Sequence, residues 1–386
     1  MSSRVPLDLQ PIQEENRHSF DDIFPEGSRA PRSSEFINSA SGVSGVPETF
    51  ESDHVQKFAG IGLEITSTVI GNLISHPCIV LRRQCQVNRK SLRYHLSPFT
   101  LFPVIVRLHK RQGLKCLWKG SSGIFILTGC SVALETFIAE LTPFPREVSA
   151  NSSLKHLAQH ALLKFITFGI LTPFYCSSLV ETVQSDIASE KPGVLDILKE
   201  GICRIFKWGT PQSSRLLPMW QLIFPAACHG LSIYVLSSLV QSVLRWLISI
   251  KKRNLREKIP YGHQIDDSYA ANYLENLSTI HFGAVVSSVI FYPAETILHR
   301  LYLQGTRTII DNLDSGTSVL PVISKYEGFT DCFHTIVAEE GAAGLYKGFG
   351  ALIFEYTLQA LLLKLAKVTL HEIESLIRPA NKKPSV

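Results

Sequence analysis

Six apolar stretches, at roughly 57–81, 121–140, 155–184, 215–248, 272–300 and 349–377, leave this chain few folds to choose from. Several reach the ~20 residues that a helix needs to cross a ~30 Å hydrocarbon core. Inside lipid there is no water to satisfy unpaired backbone groups, so segments of this length read as spanning α-helices. The stretches are not uniformly apolar. Gly60, Gly62, Ser67, Thr68, Gly71 and Ser75 run through the first, and Lys364 and Lys367 interrupt the last. Small and polar residues on a spanning helix mark a side that packs on other helices or faces water. A single-pass anchor would not need them. The sequence therefore predicts an all-α, multi-pass membrane protein.

The stretches are also related to one another. Three of them carry a proline near the end of an apolar run: His76-Pro77-Cys78, Thr172-Pro173-Phe174 and Tyr292-Pro293-Ala294. The first is followed by Gly113 and then Trp118-Lys119-Gly120, the third by Glu340-Gly341 and then Tyr346-Lys347-Gly348. The middle copy is degenerate, with Glu200-Gly201 followed by Phe206-Lys207 and Trp208 where glycine would stand. Recurrence of helix, proline, loop with a short helix, aromatic-Lys-Gly and helix predicts six transmembrane helices. These form three tandem two-helix repeats with pseudo-threefold symmetry, at 54–140, 141–250 and 251–377. An acidic tail (1–53) precedes them and a short one (378–386) follows. An even number of spans puts both termini on the same side.

Charge divides the chain in two. Residues 1–53 carry ten acidic and four basic side chains, while the whole chain has a formal net charge of +5, so the membrane body is strongly cationic. The tail is rich in Ser, Pro and Glu and is expected to be disordered. It lacks both the apolar core of a secretory signal and the basic character of a mitochondrial presequence, so any address is expected in the body. From Arg82 to Lys119 there are ten basic residues and no acid. Anionic lipid or the acidic surface of a partner protein would suit that segment. No nucleic-acid motif accompanies it. The eight cysteines form no C-x-x-C pair, and no phosphate loop, nucleophile elbow or metal-ligand spacing occurs. Hence no catalytic residue, metal or cofactor is expected.

The repeat resembles that of the mitochondrial carrier family over about residues 57–375. The family's helix signature is Pro-x-acid-x-x-base. Here the copies read Pro77, Ile79, Arg82, Gln84 and Gln86; Pro173, Tyr175 and Ser178; and Pro293, Glu295, Leu298 and Arg300, with Gln304 beyond. In the family these acids and bases pair between repeats and close one end of a cavity. The resemblance therefore implies pairs of Arg82 with Tyr175, Ser178 with Glu295, and Leu298 with Ile79, none of them a salt bridge. The family's second charged network, near the ends of the even helices, is also missing. Four stretches, at 75–88, 141–148, 179–187 and 291–312, are similar to a divergent outer-membrane branch of the family. That likeness implies a multi-pass protein of the outer mitochondrial membrane, with the inner membrane as the alternative. It also implies partners among fusion, fission and cristae-organising proteins, and a link to lipid.

Several residues stand out. Pro77, Pro173 and Pro293 remove a backbone donor and should bend their helices. Trp118, Lys119 and Gly120, and likewise Tyr346, Lys347 and Gly348, precede apolar helices. In the family such positions bind cardiolipin, since exposed amides and a lysine suit a lipid phosphate. An interfacial aromatic beside a snorkelling lysine is the competing reading. Arg300 lies five residues beyond Glu295 and could pair with it, while Leu301 is expected to pack between helices. Glu64, Glu135 and Glu355 fall within apolar stretches and are candidates to line a cavity, because a carboxylate facing lipid is costly.

Overall fold

The computed structural model of the chain describes residues 69–146, 153–186, 193, 195–206, 215–258, 269–314 and 318–377. All of them fall in one compact unit, Ala59–Val386. Residues 69–87 are helical and make up the described part of α1. The chain continues through α2 (Phe102–Gln112), α3 (Ser121–Leu141), α4 (Leu154–Val183), α5 (Asp196–Phe206) and α6 (Met219–Lys258). It ends with α7 (Tyr269–Leu303), α8 (Phe329–Glu340) and α9 (Phe349–Ile377). Among the described residues, five segments are long and apolar enough to cross a membrane: Leu114–Leu141, Leu154–Val183, Met219–Arg256, Asn272–Leu303 and Ala342–Thr369. They fall on five of the six expected stretches. Residues 57–68 of the remaining stretch, with Glu64, lie outside the described residues, as do the two tails.

The apolar stretch ending near 248 does not end its helix. α6 runs on to Lys258, so the repeat boundary expected at 250 falls inside it. The extension is tied down by Lys252, which reaches Glu275 of α7 at 2.7 Å and Asn272 at 3.2 Å. Pro173 and Pro293 lie inside continuous helices, and Pro77 lies within 69–87. Pro225 is a further helix-interior proline, in α6.

α3 packs on α4, α4 on α6, α6 on α7 and α7 on α9, with α4 also touching α7. Two apolar cores result. In one, Cys176, Leu179 and Val183 of α4 meet Ile297, Leu298 and Leu301 of α7, with Ile336 of α8 and Leu345. In the other, Leu81 and Cys85 of α1 meet Leu101, Val104 and Leu108 around α2, with Cys116 and Leu117. The outward faces stay apolar. Trp220, Phe224 and Leu239 on α6, and Leu361 and Leu365 on α9, are exposed. Such surface suits hydrocarbon and would be unfavourable against water.

Between α7 and α8 the chain forms a small antiparallel hairpin of β1 (Ile309–Asp311) and β2 (Val319–Pro321). Ile310 also bridges to Gln184, just past the end of α4. Strands this short leave no alternation to read in the sequence, and none was expected there.

Candidate functional site: the converging ends of α1, α4 and α7

The C-terminal ends of the three proline-bearing helices meet. Successive residues on a helix are about 100° apart, so the adjacent Arg82 and Arg83 serve different neighbours. Arg82 reaches Glu295 of α7 at 3.5 Å and Glu355 of α9 at 3.2 Å. Arg83 donates to Thr182 of α4 at 3.1 Å. Gln86 donates to Glu295 at 3.3 Å and accepts from His299 Nδ1 at 2.7 Å. Its backbone carbonyl takes Arg300 Nε at 3.0 Å. The expected pairing of Arg82 with Tyr175, and with it the absence of a salt bridge at this position, is therefore corrected, because the long side chain turns to acids on α7 and α9. The other two positions stay uncharged. Leu298 is buried in the apolar core with Leu179, and Ser178 is fully buried with its hydroxyl unpartnered among the described residues.

Arg300 does not pair with Glu295 either. A five-residue offset places the two side chains about 140° apart on the helix, and Glu340 of α8 takes the two terminal guanidinium nitrogens, Nη2 at 2.9 Å. Leu301 is 1% exposed, between α4, α7 and α8. Gln304 donates to the carbonyls of Arg215 and Tyr326, each at 2.9 Å, and accepts from the Tyr326 amide at 2.7 Å.

The two aromatic-Lys-Gly motifs have the same geometry. Lys347 is 1% exposed. Its ammonium donates to the carbonyls of Asn88, Arg89 and Ser91, at 3.0, 3.1 and 3.4 Å, and meets Glu340 at 2.6 Å. Those carbonyls lie just past the end of α1. Lys119 donates to the carbonyl of Gln184 at 2.6 Å, just past the end of α4, with Asp186 at 3.4 Å and Asp311 at 3.7 Å. A cation at a helix C-terminus satisfies orphan carbonyls and opposes the helix dipole. The glycines allow the approach. Gly120 and Gly348 have φ of 70° and 81°, and a Cβ there would lie 2.6 Å from Thr182 Cγ2 and 2.7 Å from Cys85 Cβ. Trp118 donates to the Leu73 carbonyl at 2.9 Å, and Tyr346 stacks on Tyr292. The Gly348 and Gly350 amides go to the Tyr94 and His95 carbonyls. Both lysines are thus occupied by carbonyl and carboxylate partners within the protein. Lys207 of the middle, degenerate copy lies outside the described residues.

Glu355 is 6% exposed and serves Arg82. Glu135 of α3 meets Lys164 of α4 at 2.8 and 2.9 Å, and that ammonium lies 5.1 Å from the Tyr234 ring centre. His160, 4% exposed, joins the group through the Tyr234 hydroxyl. Both carboxylates are thus paired inside the bundle. The sequence reading passed over Lys164, counted Arg83 only in the cationic segment, and gave Glu340 only a place in the repeat motif. Lys164 left a signal, a lone charge inside an apolar stretch, whereas Arg83 and Glu340 differ from other surface charges only in what they meet.

The family model described as "Mitochondrial carrier protein" matches residues 270–373. Over 354 residues the chain is 43% identical to the mitochondrial outer membrane protein SLC25A46 of Gallus gallus, across 92% of this chain and 86% of that one. This chain belongs to the SLC25A46 family. It is 44% identical over 331 residues to the mitochondrial outer membrane protein SLC25A46 of Homo sapiens, across 85% of this chain and 78% of that one. The Danio rerio protein of the same name is 40% identical over 351 residues, across 90% and 84%. As an SLC25A46-family member the chain is a mitochondrial outer membrane protein with several spanning helices. The charged side chains at the converging helix ends pair with one another. Arg82, Glu295, Arg300, Glu340, Lys119 and Lys347 all have protein partners within 4 Å.

Proposed function

We propose that the chain is a six-span, three-repeat scaffold of carrier fold that does not exchange a solute. In this reading it holds protein partners and lipid, serving mitochondrial fission, fusion and cristae organisation. One observation carries it: Leu298 stands in an apolar core and Ser178 stands unpartnered where a switchable ring would need charges. A gate has to break and reform, which partly wet ion pairs can do and a packed leucine cannot. The threefold order is supported by the two lysines. The third repeat caps the end of α1 and the first caps the end of α4. Anionic lipid, cardiolipin included, is assigned to the exposed Lys90, Arg93 and Lys110 of the acid-free segment. Proximity labelling from the full chain in intact cells should recover fission, fusion and contact-site proteins. Recovery of inner-membrane and matrix neighbours alone would sink the proposal.

The alternative is a transporter of a lipid or small solute, favoured by the Glu135–Lys164 pair within the bundle. On that reading purified protein in liposomes moves a solute and Glu135→Ala abolishes the movement. The scaffold reading expects no uptake across a broad panel.

A further inference from the structure

We infer that the hairpin between α7 and α8 is a strap that holds the converging helix ends shut. Loops normally run over the surface and tolerate movement, yet this one is fastened to elements of the other two repeats. On the α4 side, the Ser185 amide donates to the Ile309 carbonyl at 2.8 Å and the Ser185 hydroxyl to Asp311 at 2.6 Å. On the α2 side, Gln112 donates to Asp311 at 2.9 Å and Arg107 to the Leu313 carbonyl at 3.0 Å. Beyond α1, the amides of Leu92 and Arg93 both donate to Asp314, at 2.7 and 3.3 Å. Asp311 is therefore shared, one carboxylate taking donors from the first repeat and the second.

Two apolar anchors complete the strap. Ile310 is 3% exposed and sits in the core of α4 and α7, while Leu313 is 2% exposed and sits in the core of α1 and α2. Three residues apart in sequence, they pin separate cores to one short segment. Moving α1 and α2 away from α4 at this end would strip Asp311 of its donors from one side and pull one anchor from its core. The strap builds on the scaffold reading, since an exchanger must part these ends. Its test reads closure and not transport, so either can fail alone.

The buried thiols Cys85 and Cys116 report on one core and Cys176 and Cys332 on the other, none more than 3% exposed. The full chain in nanodiscs is treated with a membrane-impermeant maleimide, and labelling is followed at each cysteine by mass spectrometry. The wild type should label slowly at all four. Asp311→Asn combined with Asp314→Asn should speed labelling at least tenfold in both cores, while Glu339→Gln, outside the strap, should not. A cysteine pair at Gln184 and Ile310 should cross-link under mild oxidant, and this decides the matter if the double change prevents folding. Three results would overturn the strap: fast labelling of the wild type, continued protection in a folded double variant, or failure of the pair to cross-link.

Discussion

Glu340 has two cations and almost no water, with its side chain 6% exposed between Arg300 and Lys347. Burial by itself would push its carboxyl up, but the Arg300 and Lys347 contacts hold it below the usual carboxylate range. The sign of the pH effect follows. A carboxylate with a depressed folded pKa adds stability that is present above its unfolded value of about 4.3. That stability is lost as pH falls through the folded value. Glu340→Gln leaves two buried cations facing a neutral amide, and breaking a buried pair in this way costs about 3–5 kcal/mol. Denaturant titration of the purified chain should show the variant weaker at pH 7 and its stability falling less steeply on acidification. Wild type should lose the difference as the carboxylate protonates. Equal slopes for the two proteins would mean that Glu340 is not the group that titrates.

At the level of elements, the two lysine-glycine turns cap the ends of α1 and α4, and a methyl group is enough to test one of them. Gly348→Ala forces a left-handed residue, at about 1–2 kcal/mol, and drives a Cβ to 2.7 Å from Cys85 Cβ. A fall in thermal midpoint of several degrees is expected, with the retained anionic lipid, counted by native mass spectrometry, unchanged. Selective lipid loss at full stability would restore the lipid reading of this turn. The sequence could show the helices, because spanning length and apolar texture are local properties. It could not show what Lys347 meets. An aromatic-Lys-Gly before an apolar helix looks the same whether the ammonium faces a phosphate or carbonyls more than 250 residues away in the chain. Arg82 misled for a related reason: the carrier pattern names partners by position, but a long side chain beside a second arginine can turn to another helix. The strap was illegible because its strands are three residues long and its meaning lies in tertiary contacts.

For the whole molecule the open number is the count of spans. Five spanning segments are among the described residues, and α1 is helical from 69 to 87 in continuation of the apolar stretch that begins at 57. An odd count would put the two termini on opposite sides of the outer membrane, and an even count puts them together. The relation between the two ends is a clean test of the repeat. Epitope tags are placed at both ends and intact mitochondria are treated with protease, with an intermembrane-space marker to verify that the outer membrane is whole. Six spans require both tags to be clipped or both to survive. Clipping would further put the acidic tail, with its ten carboxylates against four bases, in the cytosol, where basic surfaces of partner proteins could meet it. If one tag is lost while the other is protected, the first apolar stretch does not cross. The three-repeat arrangement would then have to be abandoned, even with the caps at α1 and α4 intact.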